Sequence, residues 1–208
     1  LHRLILTSAT WRQAAIHNDK NAIIDGSNRY LWRMNRRQLE AEALRDTVLA
    51  VGGKLDYSMG GPGFDLFVFE DDHSPRYLYA QHDPAATESF RRSVYRFIVR
   101  SVPDPFMMTL DCADPSQSVP VRSNTITALQ ALSLYNNPMI VRHAAYFAER
   151  LQAEADTLPG QVALLYRYAL CREGMEDEVK TTMAYAEKHG LSAACRVVFN
   201  SNEFIFLD

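Results

Sequence analysis

From residue 125 onward, proline and glycine occur only at Pro138, Pro159, Gly160, Gly174 and Gly190. This punctuation constrains the chain more than any other feature. Proline is tolerated in the first turn of a helix but not in its interior, and glycine closes helices. The intervals left free are filled by good helix formers. The spacing predicts helices from about Thr125 to Tyr135, Pro138 to Ala155, Gln161 to Cys171, Met175 to Lys188 and Leu191 to Asn200. Asn136-Asn137-Pro138 is a tight corner and Pro159-Gly160 a turn. Asn200-Ser201-Asn202-Glu203 reads as a helix end with a side-chain cap. Phe204 to Leu207 is expected to pack on the domain body.

The first half is less regular. Leu1 to Gln13 reads as the end of a helix followed by a loop. Ile16 to Ser27 is polar and turn-rich, with Asp25-Gly26 as a breaker. A helix is predicted from Asn28 to Val51, with Ser27 or Asn28 as its cap. Within it Leu31 and Met34, then Ala41, Leu44, Val48 and Val51, recur at three- and four-residue steps. Gly52-Gly53 would close it. Lys54 to Glu88 contains Gly60-Gly61-Pro62-Gly63, an aromatic run from Phe64 to Phe69, and Asp71-Asp72. It reads as a long loop or an inserted short strand pair. Val94 to Val99 is apolar and fits helix or strand equally. Pro103 and Pro105 then break the chain, and Asp111 to Arg122 is a loop.

With 208 residues, 47% of them hydrophobic and 23% charged, the chain can bury one sizeable core. The net charge of -3 lacks the basic surplus of a general nucleic-acid binder, so no nucleic-acid partner is expected. No run of about 18 apolar residues exists to span a membrane. The opening Leu1-His2-Arg3-Leu4-Ile5-Leu6 is already amphipathic. The chain is therefore expected to begin inside a larger protein, and the lack of a targeting signal says nothing of compartment.

The chemistry-bearing residues are dispersed. Cys112, Cys171 and Cys195 form no C-x-x-C pair; one bridge is possible, and buried free thiols are the favoured state. The six histidines include no helical i, i+4 pair of the zincin type. His143, mid-helix, reads as a satisfied packing residue. The loop Gly60 to Gly63 lacks the G-K-[ST] ending of a phosphate-binding loop, and no G-x-S-x-G occurs. Glu42, Arg45 and Asp46 share a helix face, with Arg37 on the same predicted helix. An arginine between two carboxylates can clamp a substrate, but a structural ion network is the favoured reading. The pairs Arg36-Arg37 and Arg91-Arg92 suit fixed contacts to carboxylates or carbonyls. Asp111, Asp114, Ser116 and Ser118 offer oxygens to calcium, yet the spacing is not that of an EF-hand, and a local turn network is favoured.

Seven phrases together resemble a known pattern: LHRLILTSATWRQ (Leu1 to Gln13), LWRMNRRQLEAEALRD (Leu31 to Asp46), Gly60 to Pro62, RRSVYRFIVRS (Arg91 to Ser101), DCADPSQ (Asp111 to Gln117), TALQALSLYNNP (Thr127 to Pro138) and CRVVFNSNEF (Cys195 to Phe204). In this order they resemble the planctomycete C-terminal domain of unknown function, family 1553. The resemblance covers nearly the whole chain. It implies a large extracytoplasmic parent protein, with another uncharacterised domain and a cytochrome c-like module upstream. Haem is possible there, and no cofactor is expected in this chain. A second cysteine that the resemblance implies after Cys112 is replaced near Val119, so no local disulfide is expected. The matched phrases hold the polar residues Arg12, Arg36, Arg37, Glu42, Arg45, Asp46, Arg92, Asp111, Arg122, Gln130, Asn136, Asn202 and Glu203. These form either one cleft or, as favoured, the caps and ion pairs that tie helices to loops.

The expected fold is all-α: a single helical domain over residues 1–208, a C-terminal piece of a larger protein. It is a helical bundle with long loops, a loop insertion at about 54–88 and at most a small strand pair near residues 64 to 80. The expected function is a non-catalytic structural or interaction module that packs on an upstream domain and helps present a substrate or redox partner. The alternative is an enzyme domain acting on a carbohydrate or other extracellular polymer. A pair of carboxylates flanking a cleft would be its sign, with Glu42, Asp46, Asp111 and Glu203 as candidates. No metal is expected, a calcium site near Asp111 being the weakest reading.

Overall fold

A computed structural model describes residues 1–207. The C-terminal helices follow the proline and glycine spacing except at Pro159-Gly160, where the expected turn is instead the first turn of a helix, a position proline tolerates. Helix α5 is Ala128–Asn136, α6 Pro138–Glu154, α7 Leu158–Leu170, α8 Glu176–His189 and α9 Leu191–Phe199. Their starts are chemically specified. Thr127 and Gln130 form a reciprocal capping box on α5. The Asn137 side chain accepts from the Met139 N–H, with Pro138 in the first turn of α6. Thr157 caps α7. Gly190 closes α8 at φ +88, a backbone setting costly for other residues.

These helices wrap one apolar core. Phe147 of α6 stacks on Phe199 of α9, ring centroids 5.7 Å apart, among the buried side chains of Ile140, Leu151, Val162 and Leu165. Helix α6 lies at the centre, packed against α9, α7 and α5. Helix α3, Ala41–Val51, lays Leu44, Val48 and Val51 on the same core. It ends at Gly52, with Gly53 at φ +70. The predicted packing of the last residues holds for Phe204 to Phe206 and fails at Leu207, which is exposed at the end of the chain's last strand. Ser201 caps a short helix α10, Asn202–Ile205, so that phrase starts a helix rather than ending one. Phe204 and Ile205 are buried.

Three departures have local causes. The helix predicted from Asn28 begins only at Ala41. Asn28 and Leu31 sit in the left-handed region, at φ 55 and 54. The Asp25 carboxylate accepts from the Arg29 and Tyr30 N–H groups, and the Asn28 amide donates to the Arg33 carbonyl. These side chains give the backbone partners that compete with a helix. Arg36 and Arg37 therefore lie outside α3. Second, the turn-rich stretch before it contains a helix, α2 (Asp19–Ile24), capped by Asn18. A short α1, His2–Leu6, precedes it. Third, the described residues form two small strand pairs. The hairpin β2 (Val68–Glu70) with β3 (Arg76–Leu78) falls in the expected place. Strand β1 (Arg37–Gln38) also pairs antiparallel with β4 (Phe206–Leu207), joining distant parts of the chain.

Between α3 and α5 the only α-helix among the described residues is α4, Pro105–Thr109. The ambiguous run at Val94 begins in a 3-10 turn, Ser93–Tyr95, and Arg96 bridges to Phe64. Gly63 is needed here: a Cβ would stand 2.8 Å from the Tyr95 carbonyl oxygen. Residues 1–38 place no side chain in the apolar core. The helices α1 and α2 contain no buried residue.

Candidate functional site

Helix α3 holds Glu42, Arg45 and Asp46 one turn apart, and each serves the loops beside it. Arg45 is 2% exposed. Its guanidinium donates to the carbonyls of Ser89 and Arg91 (3.1 Å for Arg91) and to Ser93 Oγ at 3.3 Å. It also lies over the Phe64 ring at 5.1 Å. Burial lowers its pKa to about 10, with Asp46 at 3.5 Å opposing the shift, so it stays cationic at neutral pH. Asp46 accepts from the Ser93 N–H and hydroxyl, both at 2.7 Å. Glu42 accepts two 3.1 Å bonds from Arg122 and one from the Cys112 thiol at 3.4 Å. Arg122 also approaches Glu40 at 3.8 Å.

The other polar residues selected from the sequence fall elsewhere. Asp111, at φ 59, accepts from the Thr125 N–H and hydroxyl and from the Gln130 amide. This is the turn network expected of that loop, and Asp114 makes a similar one with Ser116 and Gln117. Among the described residues no group of three or more His, Cys, Asp or Glu is arranged to hold a metal. Glu203 accepts from Arg172, which also pairs with Glu178 at 2.7 Å. Arg172 holds the Glu178 carboxyl down to about 2. Arg37 approaches Glu40 at 3.8 Å. Arg12, Arg36, Arg92, Asn136 and Asn202 are exposed. The set is thus spread over several clusters, and of its members only Arg45 lines the cavity beneath the start of α6.

The thiols are free, and only Cys195 is fully buried. Cys171 is exposed, and Cys112 is half-buried, contrary to the expectation of buried thiols: α7 ends at Cys171 in the left-handed region, on the surface. Burial and then Glu42 push the Cys112 thiol up, which keeps it protonated and a poor nucleophile.

The cavity has a volume of about 350 Å³. It lies where the start of α6 (Asn137, Pro138, Met139, His143) meets α4 (Asp104, Phe106), α3 (Arg45) and the central loops (Leu66, Tyr79, Ala80, His82, Pro84, Ser89). Asp104 caps α4 by accepting from the Phe106 and Met107 N–H groups. His143 departs from its expected role. It packs between Phe90 and Tyr146, at centroid distances of 5.2 and 5.4 Å, and is 1% exposed. Its Nδ1 nevertheless has no hydrogen-bond partner, and neither does His82 Nε2. Leaving such a group buried and unpaired costs about 1–3 kcal/mol. Burial, reinforced by the charges of Arg45, Lys54 and Arg142, lowers the His143 pKa to about 4, so the ring is neutral at pH 7. Sequence reasoning missed His82, Tyr79, Asp104 and Phe106 because each comes from a loop or short turn with no period to follow. Of the cavity residues Arg45 and His143 carried a signal, the first on a helix face shared with Glu42 and Asp46, the second a polar residue at a core-facing step of α6.

The family model described as PSD1, Protein of unknown function (DUF1553), matches residues 1–186. The chain belongs to this family. The DUF1553 match takes in the N-terminal arm, α3, the central loops and the helical body as far as α8. No curated protein and no solved structure matches the chain.

Proposed function

We propose that this DUF1553 domain is a non-catalytic docking module whose N-terminal arm seats on another folded domain. The observation that carries the reading is the character of residues 1–31. Leu1, Leu4, Leu6, Ile16, Ile23 and Ile24 are all exposed, the last two by 86% and 81%, and Trp11, Tyr30 and Leu31 lie open beside them. Scattered apolar residues are normal on a surface, but a concentration of this kind marks an interaction site. The arm is internally ordered by Asp25 and Asn28, so it presents a defined shape. For the partner we take what the family resemblance implies: an upstream domain of a large extracytoplasmic protein that also carries a cytochrome c-like module. Any haem belongs to that upstream module.

The sign of a carbohydrate-cleaving domain would be two carboxylates flanking a cleft. Glu42, Asp46, Asp111 and Glu203 are engaged with arginines, a serine and a threonine. The cavity carries one carboxylate, Asp104, committed to the cap of α4.

Leu4→Ser, Ile23→Ser and Ile24→Ser, combined, test the docking role. The variant should keep the melting temperature of the isolated domain. It should lose association, measured by calorimetry, with the remainder of its polypeptide. An unchanged association constant would sink the proposal. So would a wild-type domain that neither binds an apolar dye at the arm nor associates with any part of its polypeptide.

A further inference from the structure

Charge is divided unevenly along this chain. Residues 1–38 carry seven arginines and lysines against two aspartates, whereas residues 39–208 carry 15 against 23 acidic residues. The arm is thus at +5 and the remainder at -8. Both aspartates of the arm are already engaged. Asp25 accepts from the Arg29 and Tyr30 N–H groups, and Asp19 lies 3.2 Å from His17 Nε2. Arg3, Arg12, Lys20 and Arg29 are exposed, and among the described residues no ion pair engages them. A further cation is set into a cleft of about 460 Å³ between residues 14–17 and 33–36, lined by Ala14, Ile16, His17, Arg33 and Arg36. The walls of this cleft are pinned together. The Met34 N–H donates to the Ala14 carbonyl at 3.0 Å, and the Gln13 amide to the Leu31 carbonyl at 2.7 Å. Asn28 holds the Arg33 backbone on both sides, accepting from its N–H at 3.3 Å and donating to its carbonyl at 2.8 Å. The Arg33 guanidinium lies 5.2 Å from the Trp32 ring centroid and pairs with no carboxylate among the described residues. An arginine fork placed without its carboxylate is ready to take one from outside. We propose that this cleft receives a carboxylate side chain of the partner, so that the arm docks on an acidic face with an apolar centre. The inference rests on the docking role argued above and supplies its chemistry. Ile16, which lines the cleft and is 77% exposed, covers hydrocarbon beside the ion pair. A protein face suits the arm better than other anionic surfaces do. A membrane surface is met by a continuous amphipathic helix, and α1 and α2 have only five and six residues. Single-stranded nucleic acid stacks its bases on aromatic rings, and the arm exposes mainly leucine and isoleucine.

The test is a calorimetric titration of the domain with the remainder of its polypeptide, at about 50 and about 500 mM sodium chloride. Wild-type association should weaken about tenfold or more at the higher salt, and Arg33→Glu should weaken it about tenfold or more at the lower. Arg33→Lys, which keeps the charge and loses the fork, should fall between wild type and Arg33→Glu. If Arg33→Glu lowers the melting temperature, Ala14→Glu replaces it, setting a carboxylate into the cleft from an exposed lining position. Association that is equal at both salts, or unchanged by the cleft substitution, overturns the acidic face and leaves the docking role standing. Tighter binding to vesicles of phosphatidylserine and phosphatidylcholine than to the polypeptide overturns it in favour of a membrane surface. A wild-type domain that associates with no part of its polypeptide removes the docking role, and this inference with it.

Discussion

The helical body from α5 to α9 and the irregular segment between α3 and α5 are held together by different physics. In the body every interior backbone group is satisfied within its own helix, so the side chains are free to be apolar: Phe147, Leu165 and Phe199 bury nothing but hydrocarbon. The segment from 54 to 127 has little regular structure to absorb its N–H and carbonyl groups. Buried backbone must still find partners, and here side chains supply them. Arg45 takes the carbonyls of Ser89 and Arg91; Arg91 takes those of Gly60 and Pro62 at 2.5 and 2.6 Å; Asp46, Asp104 and Asp111 take N–H groups. The contrast explains why a segment rich in arginine and aspartate can look like an active site in sequence while acting as a scaffold for loops.

Substitutions can break or sharpen this contrast. The largest effect is expected for Phe199→Ala, which removes a fully buried ring: about 3–5 kcal/mol, seen as a fall in the single melting transition of the whole domain. If only part of the molecule melted early, the body would not be one cooperative unit. Next comes acid. The His143 pKa is about 4 in the folded protein against 6.5 unfolded. The unfolded chain therefore binds the proton first. Stability is intact above pH 6.5 and declines as pH falls towards 4, by about 3 kcal/mol at the limit. Denaturant unfolding across that window should show the decline, and His143→Phe should flatten it. Arg45→Met leaves buried carbonyls unpaired and should cost about 2 kcal/mol. Its signature is local: hydrogen exchange at residues 89–96 accelerates before exchange in α6 and α9. Equal acceleration in both would erase the distinction between the two regions. The smallest effect is Thr127→Ala, about 1 kcal/mol from the lost cap of α5, read as a modest drop in denaturation midpoint.

How much of this was legible in the sequence follows the same division. The body was readable because its signals are local: Pro138, Gly174 and Gly190 fix helix limits, and the apolar steps between them fix the buried faces; Pro159 and Gly160, expected as a turn, sit in the first turn of α7 because proline fits there as well as in a turn. The start of α3 was misread because Leu31 and Met34 continued the period while Asp25 and Asn28, through bonds to their own neighbours, bent the backbone away from it. Glu42, Arg45 and Asp46 were recognisable as a shared face, yet their partners Arg122, Ser89 and Ser93 lie over forty residues away, beyond the reach of spacing rules. The cavity was unreadable for the same reason: it exists only where α3, α4, α6 and a loop meet.

The pairing of β1 with β4 has a mechanical consequence. Arg37 lies opposite Leu207 and Gln38 opposite Phe206, with the Leu39 N–H bonded to the Ile205 carbonyl at 2.8 Å. In this antiparallel arrangement residues 37 and 207 stand at the same end of the ladder. Tension drawing them apart would load the bonds one after another, as in a zipper, rather than all together in shear. A pull transmitted along the polypeptide would therefore open this clasp at low force, lengthening the arm while α5 to α9 stay folded. In a single-molecule stretching trace it would appear as a small early extension, well separated from the rupture of the body.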